Sequence, residues 1–527
     1  MKIMSAKKLL FCFVSLLIII AVIVTPVLLL SSCGENNKDK DKNENKNEND
    51  EVKNDGQKSG GEADPDIISD PDPSAVGEED AGSRANYKDS LPDGLGFGGA
   101  EYRVLARADD EYNCEFADEE IGEVVNDALY RRQLAVEDRL NVKIVPIKRL
   151  GNWENQSQFL SPMKASIKAG TDDYDVIAGY AYYITPFALD GNFLNLAEFP
   201  YIDYEKPWWP DSITSNLKIA NKLYFISGDY SLTMIRSLNC LFFNKNLAQD
   251  FAVPNLYQMV LSGDWTFDKY DETVRTVSKD LNGDGKYDLE DLYGLVTRWY
   301  DVYFSAFQLP MSTTEDDGTL KIAIYNEKFV DAYNKIYDLT HGNYALHVKY
   351  LNEDASREQL LFSNNQALFL GRNLEICESL RDMTAGYGIL PYPKYDKSQD
   401  NYYTVSHDDY SLLSVPVTAA TGKYQMIGAV TEALAAEGYR TVTPAYFEIA
   451  LKNKYSRDDE SSQMLDILVE GNTFQPAVIY SGSLGNIGHL MREMQNDAPD
   501  ITSIYDKKVN TYQKAFDKFN AIFADLN

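Results

Sequence analysis

Between residues 102 and 147 the spacing of apolar residues changes from a period of two to a helical period and back again. Residues Tyr102–Ala106 alternate as a strand does, and apolar side chains then recur from Ile121 to Leu140 at helical spacing. Residues Val142–Ile147 return to the strand pattern. Two strands joined by a long helical crossover form a βαβ unit, which requires a parallel sheet. The chain is therefore predicted to have an α/β fold.

Further strand and helix patterns follow along the chain. Residues Tyr174–Ala178 form a short apolar run that predicts a buried strand. The later predicted strands and helices are, in turn, Leu238–Phe243, Gln366–Leu370 and Tyr410–Val415, then Val330–Leu339 and Tyr424–Ala436. A body of this length is too large for a single hydrophobic core. We therefore expect two lobes.

Charge and composition exclude several classes of protein. The 527 residues carry a formal net charge of −31, whereas nucleic-acid binding needs a basic surface. The cysteines are spaced too widely for a disulfide scaffold or a zinc cluster. The histidines show no HExxH spacing, which excludes an imidazole-rich metal site on this reasoning. Stability is expected to come from packing alone.

The first 33 residues have the pattern of an export signal. Lysines at positions 2, 7 and 8 precede an apolar run, Leu9–Leu30, which could also span a bilayer as an uncleaved helix. The sequence Leu30-Ser31-Ser32-Cys33 resembles the lipobox of bacterial lipoproteins, where the signal is cut before the cysteine. The resemblance implies that Cys33 carries the lipid and that acyl chains anchor the protein outside the cytoplasmic membrane.

A polar linker is predicted after Cys33, over residues 34–97. Every residue from Glu35 to Glu51 is Asn, Lys, Asp or Glu, and no aromatic residue occurs between Cys33 and Tyr87. Such a segment buries too little apolar surface to offset the entropy of ordering it. The linker is expected to be disordered and to hold the body away from the membrane.

Several segments of the body together resemble the extracellular solute-binding proteins of bacterial ABC importers, in the maltose-binding-like class for carbohydrates. The segments, in chain order, are Val125–Ile144, Tyr174–Gly179, Gly191–Leu196, Leu241–Leu247, Gly263–Phe267, Phe362–Phe369 and Gly388–Pro393. Each one is mainly a packing pattern, and their joint order carries the resemblance.

The resemblance implies a two-lobed periplasmic-binding-protein type II fold, in which strands cross between the lobes and a small solute binds in the cleft. The crossings are expected near residues 227–238 and 402–415. Lobe I is assigned to about 98–230 and 410–470, and lobe II to about 231–409 and 471–527. The implied partners are a solute, a sugar on this likeness, and the transmembrane subunits of a permease, with the protein acting as a monomer without an organic cofactor.

Ligand contacts are predicted where parallel strands end, because side chains converge at that edge of a sheet. Tyrosine rings and hydroxyls match the CH and OH surfaces of a sugar, and the resemblance places the ligand loop at the tyrosines after residue 178. Arg372 and Asn373 stand where relatives often have a tryptophan, which favours a more polar or acidic ligand. The predicted ligand-binding residues are Tyr180, Tyr182, Tyr183, Trp299, Tyr300, Arg372 and Asn373. Many of these rings could instead be ordinary packing, and Arg372 could form a surface salt bridge.

Three other tryptophans are interpreted as structural. Trp208 and Trp209, between two prolines, predict a rigid surface turn, and Trp265 predicts an anchor at the start of a helix.

Residues 280–291 match the twelve-position calcium loop, with glycine at position 6. The predicted ligands are Asp280, Asn282, Asp284, Lys286 through its carbonyl, Asp288 and Asp291. A structural Ca²⁺ is predicted here, the alternative being a solvated acidic turn. Asp291 is shorter than the usual glutamate of position 12, as in dockerin-like loops.

The sequence thus predicts a lipid-anchored receptor on the extracellular face of the cell membrane that binds a solute without catalysis. One alternative is a secreted carbohydrate-active enzyme, which needs two carboxylates facing a sugar. Another is a calcium-dependent adhesion or scaffold protein, suggested by the dockerin-like loop, although true dockerins carry that loop twice.

Overall fold

The computed structural model describes residues 84–351, 356–451 and 459–526. The predicted signal, the lipidated Cys33 and the linker up to residue 83 lie outside the described residues. Within the described ranges, no helix combines the length and the apolarity needed to cross a membrane.

The first sheet has the strand order β10-β3-β1-β2 and carries the βαβ unit predicted from the sequence. Strand β1 pairs in parallel with β2 and β3, and β10 pairs antiparallel with β3. The register places Tyr102 beside Ile144 and Val104 beside Val176. The strands of the described chain are β1 Ala100–Arg107, β2 Val142–Arg149, β3 Val176–Tyr180, β4 Asn239–Asn244, β5 Tyr293–Thr297, β6 Ser312–Thr314, β7 Leu320–Ile322, β8 Ala367–Asn373, β9 Tyr387–Leu390 and β10 Ser411–Ser414.

The second sheet has the order β5-β8-β4-β9, and β6 and β7 form a separate hairpin. Strands β5 and β8 are parallel, whereas β4 runs antiparallel to both of its neighbours. The helices are α1 Val124–Leu140, α2 Gln156–Ala169, α3 Ala181–Ile184, α4 Pro186–Leu189, α5 Asp211–Leu217, α6 Thr233–Arg236, α7 Lys245–Asp250, α8 Leu256–Leu261, α9 Phe267–Val277, α10 Val302–Ala306, α11 Glu327–His341, α12 Val348–Leu351, α13 Arg357–Ser363, α14 Tyr424–Glu437, α15 Thr443–Leu451, α16 Asp459–Glu470, α17 Pro476–Ile479 and α18 Ile501–Asp525. Five-residue and longer 3-10 segments occur at Leu374–Glu378 and Ile487–Asn496.

The chain passes between the two sheets where the sequence predicts it. Ile226 bridges Leu413 at the edge of the first sheet, and Leu238 bridges Ser406 next to the second sheet. The antiparallel segments between these bridges carry the chain from one lobe to the other. The π-helical Gly438–Val442 leads from α14 into α15, which contacts both α1 and the 3-10 segment Leu374–Glu378. The predicted two-lobed α/β fold with crossing strands is confirmed.

The C-terminal helices do not follow the expected lobe boundaries throughout. Helix α16 packs against β9 of the second sheet and α17 packs on α5, whereas α18 packs on β7 and α11 as well as on α4. The ring of Tyr480 lies 5.1 Å from that of Phe519 and 6.3 Å from that of Phe225. An amphipathic pattern shows that a helix has a buried face but does not show which sheet that face covers.

The body also begins before residue 98, the start predicted from the sequence. Asp89 accepts hydrogen bonds from both terminal nitrogens of Arg139, at 2.6 and 2.7 Å. The Tyr87 ring packs edge-on against Tyr439, and Leu91 is buried. Residues 84–97 are therefore part of the folded body and do not belong to the linker.

The tryptophan pair is buried and does not form the predicted surface turn. Trp208 and Trp209 donate their indole N–H groups to the two carboxylate oxygens of Glu432 on α14, at 3.0 and 2.8 Å. All three side chains are shielded from solvent. Buried polar groups need hydrogen-bond partners, and here the carboxylate and the two indole N–H groups satisfy one another. The two tryptophans can therefore be buried. Trp265 does anchor the start of α9, where its indole donates to the Pro391 carbonyl at 3.0 Å.

Candidate functional site

Side chains from both lobes meet at Asp408, in the segment that crosses between the two sheets. Tyr180, at the carboxyl end of β3, donates a hydrogen bond to Asp408 at 3.3 Å. From the C-terminal segment, His489 Nε2 lies 3.3 Å and an Arg492 terminal nitrogen 3.5 Å from the same carboxylate. Arg492 also pairs with Asp301, in the turn before α10. The crossing segment, the first lobe and the C-terminal segment thus converge on one carboxylate.

The neighbouring His407 and Asp409 extend this cluster of charges. The His407 Nδ1 atom lies 3.2 Å from Asp409 and 3.6 Å from Asp408. Burial alone would lower the pKa of His407, but the Asp409 and Asp408 carboxylates raise it to about 9. Burial opposes the charge on Asp408, yet His407 and Arg492 hold its pKa well below its usual range. His407 and Asp408 therefore hold each other in their charged forms.

Aromatic rings flank this charged cluster. The Trp299 ring lies 4.8 Å from the His407 ring, and the Arg492 guanidinium sits 5.6 Å from the Trp299 ring. On the other side, Tyr182 stacks on His489 at 5.3 Å and contacts Trp153 at 5.6 Å. Trp153 remains 52% exposed, an unusual degree for so large a ring. Ring faces and charged groups together could hold a polar molecule with apolar faces.

The structure places two of the predicted tyrosines away from this cluster. Tyr183 is buried against Tyr180, at a ring distance of 4.9 Å, and its hydroxyl donates to the Gly151 carbonyl. Tyr300 is 1% exposed and lies in the core, where its hydroxyl interacts with Thr340. Neither ring offers a face to solvent, because each fills space between packed elements. A run of tyrosines does not distinguish lining rings from packing rings.

Arg372 and Asn373 lie at the end of β8, and Arg372 is already paired. One terminal nitrogen of Arg372 lies 2.7 Å from Glu358, which is fully buried and also binds Arg298 at 2.5 Å. Asn373 is 4% exposed and pairs across the sheet with Asn239. The carboxylate of Glu358 thus takes the position expected for a ligand carboxylate. The alternative prediction for Arg372 is a surface salt bridge; Arg372 does form a salt bridge, but its partner Glu358 is buried.

Two further groups link this strand end to the crossing segment. Tyr112 donates a hydrogen bond to Asp409 at 3.2 Å. Burial and the nearby Asp409 raise the pKa of Glu375, while Arg372 opposes the rise. Arg107 places its guanidinium 4.2 Å from the Tyr112 ring. Glu375, in the 3-10 segment after β8, therefore interacts electrostatically with Asp409.

The sequence reasoning missed Asp408, His489, Arg492, Asp301 and Trp153. Asp408 could have been found, because it lies in a predicted crossing and a charged triplet is rare in a buried segment. His489 and Arg492 had no local signal, since they line the site only through the path of the C-terminal segment.

The cavity at the centre of the cluster measures about 30 Å³ and is lined by Asp301, His407, Asp408, His489 and Arg492. That is room for about one water molecule, whereas ligand pockets usually measure about 300 Å³ or more. Arg492 and Asp301, which pair with each other, both line this cavity. In this conformation the cavity is too small for a sugar-sized ligand.

The predicted calcium loop is folded around its own acidic side chains. Asp280 accepts hydrogen bonds from the amides of Gly283 and Gly285, at 2.6 and 2.9 Å. Asp284 accepts from the Lys286 amide at 2.8 Å. Asp291 is buried and accepts from the amide of Leu281 at 2.9 Å. Gly285, at position 6, has φ 78°, which only glycine adopts readily. The backbone of the turn therefore fits a twelve-position loop, and occupancy by Ca²⁺ stays a prediction.

Paired α/β lobes, strands that cross between them and a polar cluster at the crossing define the fold of the two-lobed solute-binding proteins. The structure is similar to an ABC substrate-binding protein from Listeria monocytogenes in complex with cycloalternan, with TM-score 0.50 and 13% identity over 81% of this chain and 99% of that one. It is also similar to a cyclo/maltodextrin-binding protein complexed with maltotetraose, with TM-score 0.51 and 13% identity over 80% and 97% of the two chains. A family 1 extracellular solute-binding protein from Bifidobacterium longum subsp. infantis matches with TM-score 0.50 and 10% identity over 82% and 100%.

At these identities the likeness establishes the fold. No protein-family model and no curated sequence matches the chain.

Proposed function

We propose that this protein is the solute-binding component of an ABC importer and that it binds a carbohydrate between its lobes. The observation that carries the proposal is the cluster at Asp408, where the crossing segment, β3 and the C-terminal segment meet. Similar structures contain cycloalternan or maltotetraose. In this arrangement a solute contacts both lobes only when the lobes meet, and it therefore stabilises the closed form. We infer that the protein binds the solute without catalysis.

The chemistry of the cluster suits a sugar. The faces of Trp299 and Tyr182 offer apolar surface for CH groups. Asp301, Asp408 and Arg492 would exchange their mutual pairing for hydroxyl groups, and hydrogen bonds to charged groups are the stronger ones. The bond between Arg492 and Asp301 would then be the contact that a solute replaces on entry.

The remaining parts of the proposal come from outside the described residues or from the loop at 280–291. Lipidation of Cys33 would anchor the protein on the extracellular face of the membrane, and the polar linker would let the body reach the permease subunits. Ca²⁺ in the loop would stabilise the second lobe, in which the loop lies directly before β5.

The proposal is tested by thermal denaturation of the purified protein with maltotetraose, with other oligosaccharides and with a peptide mixture. A bound solute should stabilise the protein by about 2.7 kcal/mol at a hundredfold excess over Kd. Tyr182→Ala should weaken binding because Tyr182 borders the cluster. Tyr325→Ala is the matched control, since Tyr325 is an exposed tyrosine that stacks on Tyr505 far from Asp408 in the sequence.

Asp301→Asn gives a second readout. It weakens the contact with Arg492, so that the unliganded protein should open more readily in small-angle X-ray scattering. Stabilisation by peptides and by no sugar would refute the carbohydrate assignment. Hydrolysis of an oligosaccharide by the protein would instead support the enzyme alternative.

A further inference from the structure

Two histidines and an aspartate meet at the end of α11, although their sequence spacing shows no metal-binding motif. His341 is the last residue of α11, His347 lies in the following loop, and Asp497 caps the 3-10 segment Ile487–Asn496. The His347 Nε2 atom lies 2.6 Å from an Asp497 carboxylate oxygen, and His341 Nε2 lies 3.7 Å from that same oxygen. One ligand atom from each residue falls within 4.8 Å of the others.

We propose that His341, His347 and Asp497 bind a divalent transition-metal ion, for which Zn²⁺ is the best match. Zinc takes imidazole nitrogen and carboxylate oxygen in a tetrahedron at about 2.0–2.2 Å, so neighbouring ligand atoms lie roughly 3.4 Å apart. The two histidine nitrogens lie 2.6 and 3.7 Å from the Asp497 oxygen, on either side of that value. The Met494 carbonyl oxygen, 2.9 Å from His341 Nε2, or a water molecule would complete the tetrahedron.

The hydrogen bonds of His341 explain why a cation fits there. Its Nδ1 atom lies 3.1 Å from the Tyr337 carbonyl oxygen, and its Nε2 atom lies 2.9 Å from the Met494 carbonyl oxygen. A neutral imidazole has one proton to donate, so only one of these two carbonyl oxygens can accept a hydrogen bond from the ring. The Nδ1 atom also lies 3.1 Å from the Thr340 hydroxyl. With the proton on Nδ1, the Nε2 lone pair faces the Met494 carbonyl oxygen and the Asp497 carboxylate oxygen. A metal ion between this nitrogen and the two oxygens would bind all three atoms. Stacking on Tyr337 at 3.8 Å fixes the ring in this orientation.

His347 must exchange one weak hydrogen bond for the metal. Its Nδ1 atom accepts from the Lys349 amide at 3.2 Å, which leaves the proton on Nε2 facing Asp497. Metal binding at Nε2 moves that proton to Nδ1 and releases the Lys349 amide. This amide lies in the first turn of α12 on an exposed residue, where water can replace the lost acceptor. Zinc affinity should therefore fall as the pH is lowered, because protons compete for both imidazoles.

The site would also fasten the segment that carries His489 and Arg492. This segment ends at Asp497, and metal binding would fix that end to α11. The proposal does not depend on the identity of the solute.

The test is calorimetric titration of the purified protein with ZnCl₂, in excess Ca²⁺ to saturate the oxygen-only loop at 280–291. We expect one zinc per chain. His347→Gln and Asp497→Asn should each weaken binding by at least about tenfold to a hundredfold, the loss that even outer-shell partners of a metal cause. Asp338→Asn is the matched control, since Asp338 is an exposed acid one turn before His341 on the same helix.

The Asp497→Asn variant should fold normally. Asp497 is exposed and has φ 53°, a conformation that asparagine tolerates. Co²⁺ added in place of zinc should give the intense visible absorption of a tetrahedral site in the parent protein and lose it in both variants. The proposal is overturned if the parent protein binds no zinc, or if both variants bind zinc as tightly as Asp338→Asn does.

Discussion

Replacing Glu432 by glutamine should remove a pH dependence of stability that the buried tryptophan pair creates. Glu432 is fully buried and accepts hydrogen bonds from Trp208 and Trp209. Burial raises the pKa of this carboxyl from 4.5 to about 7, although the hydrogen bonds from Trp209, the Asp203 amide and Trp208 oppose the rise. Between these two values the folded state binds more protons than the unfolded state, so stability falls as the pH rises.

The size of the effect follows from that rise in pKa. Each pH unit between the two values corresponds to about 1.4 kcal/mol. The contribution of Glu432 should therefore fall by about 2.5 kcal/mol between pH 5 and pH 8. Glutamine has almost the same shape as the protonated glutamic acid and does not ionise. Relative to the parent protein, Glu432→Gln should gain about 2.5 kcal/mol over this interval.

Urea denaturation of both proteins at several pH values measures this difference. Other titrating groups are common to both proteins and cancel. Glu205→Gln, at an exposed glutamate near the pair, is the control and should follow the parent protein. A stability difference between Glu432→Gln and the parent that stays constant within about 0.5 kcal/mol from pH 5 to pH 8 would refute the reasoning.

Two further outcomes are expected. Gly228→Ala, at the first crossing, should destabilise the protein by at least about 2 kcal/mol in chemical denaturation, because an added Cβ would lie 2.0 Å from the Trp208 carbonyl oxygen. The control is Gly422→Ala, where the added Cβ meets nothing within 4 Å; it should change stability by less than about 0.5 kcal/mol. An equal loss of stability in the two variants would contradict the steric argument. Removal of Ca²⁺ with a chelator should lower the melting temperature of the parent protein and of the control variant Glu290→Gln. The melting temperature of Asp284→Asn should already be low and should change little on chelation. An unchanged melting temperature in all three proteins would exclude the calcium site.

The elements that sequence alone predicts are those set by local periodicity. Strand β1, helix α1 and strand β2 follow from the change between the two periods. Helix α1 ends at Leu140, and the next residue, Asn141, has the left-handed conformation typical after a helix. The crossings near 227–238 and 402–415 came from the family resemblance, and the structure confirms them.

The site itself could be predicted only in part. Tyr180, Tyr182 and Trp299 border the cluster at Asp408, because the ends of strands converge as the general rule states. Tyr300 and Tyr183 have the same composition around them but fill the core. The pairing of Arg372 with Glu358 depends on α13 lying beside β8, which no local pattern encodes.

The order in which the cluster is assembled has a kinetic consequence. Tyr182 donates a hydrogen bond to Asn486, 304 residues later in the sequence, and His489 and Arg492 come from the same late segment. Contacts between such distant residues require loop-closure entropy before they contribute stability, so they form late in folding. The cluster at Asp408 should therefore form late in folding, and a partly folded chain would lack it.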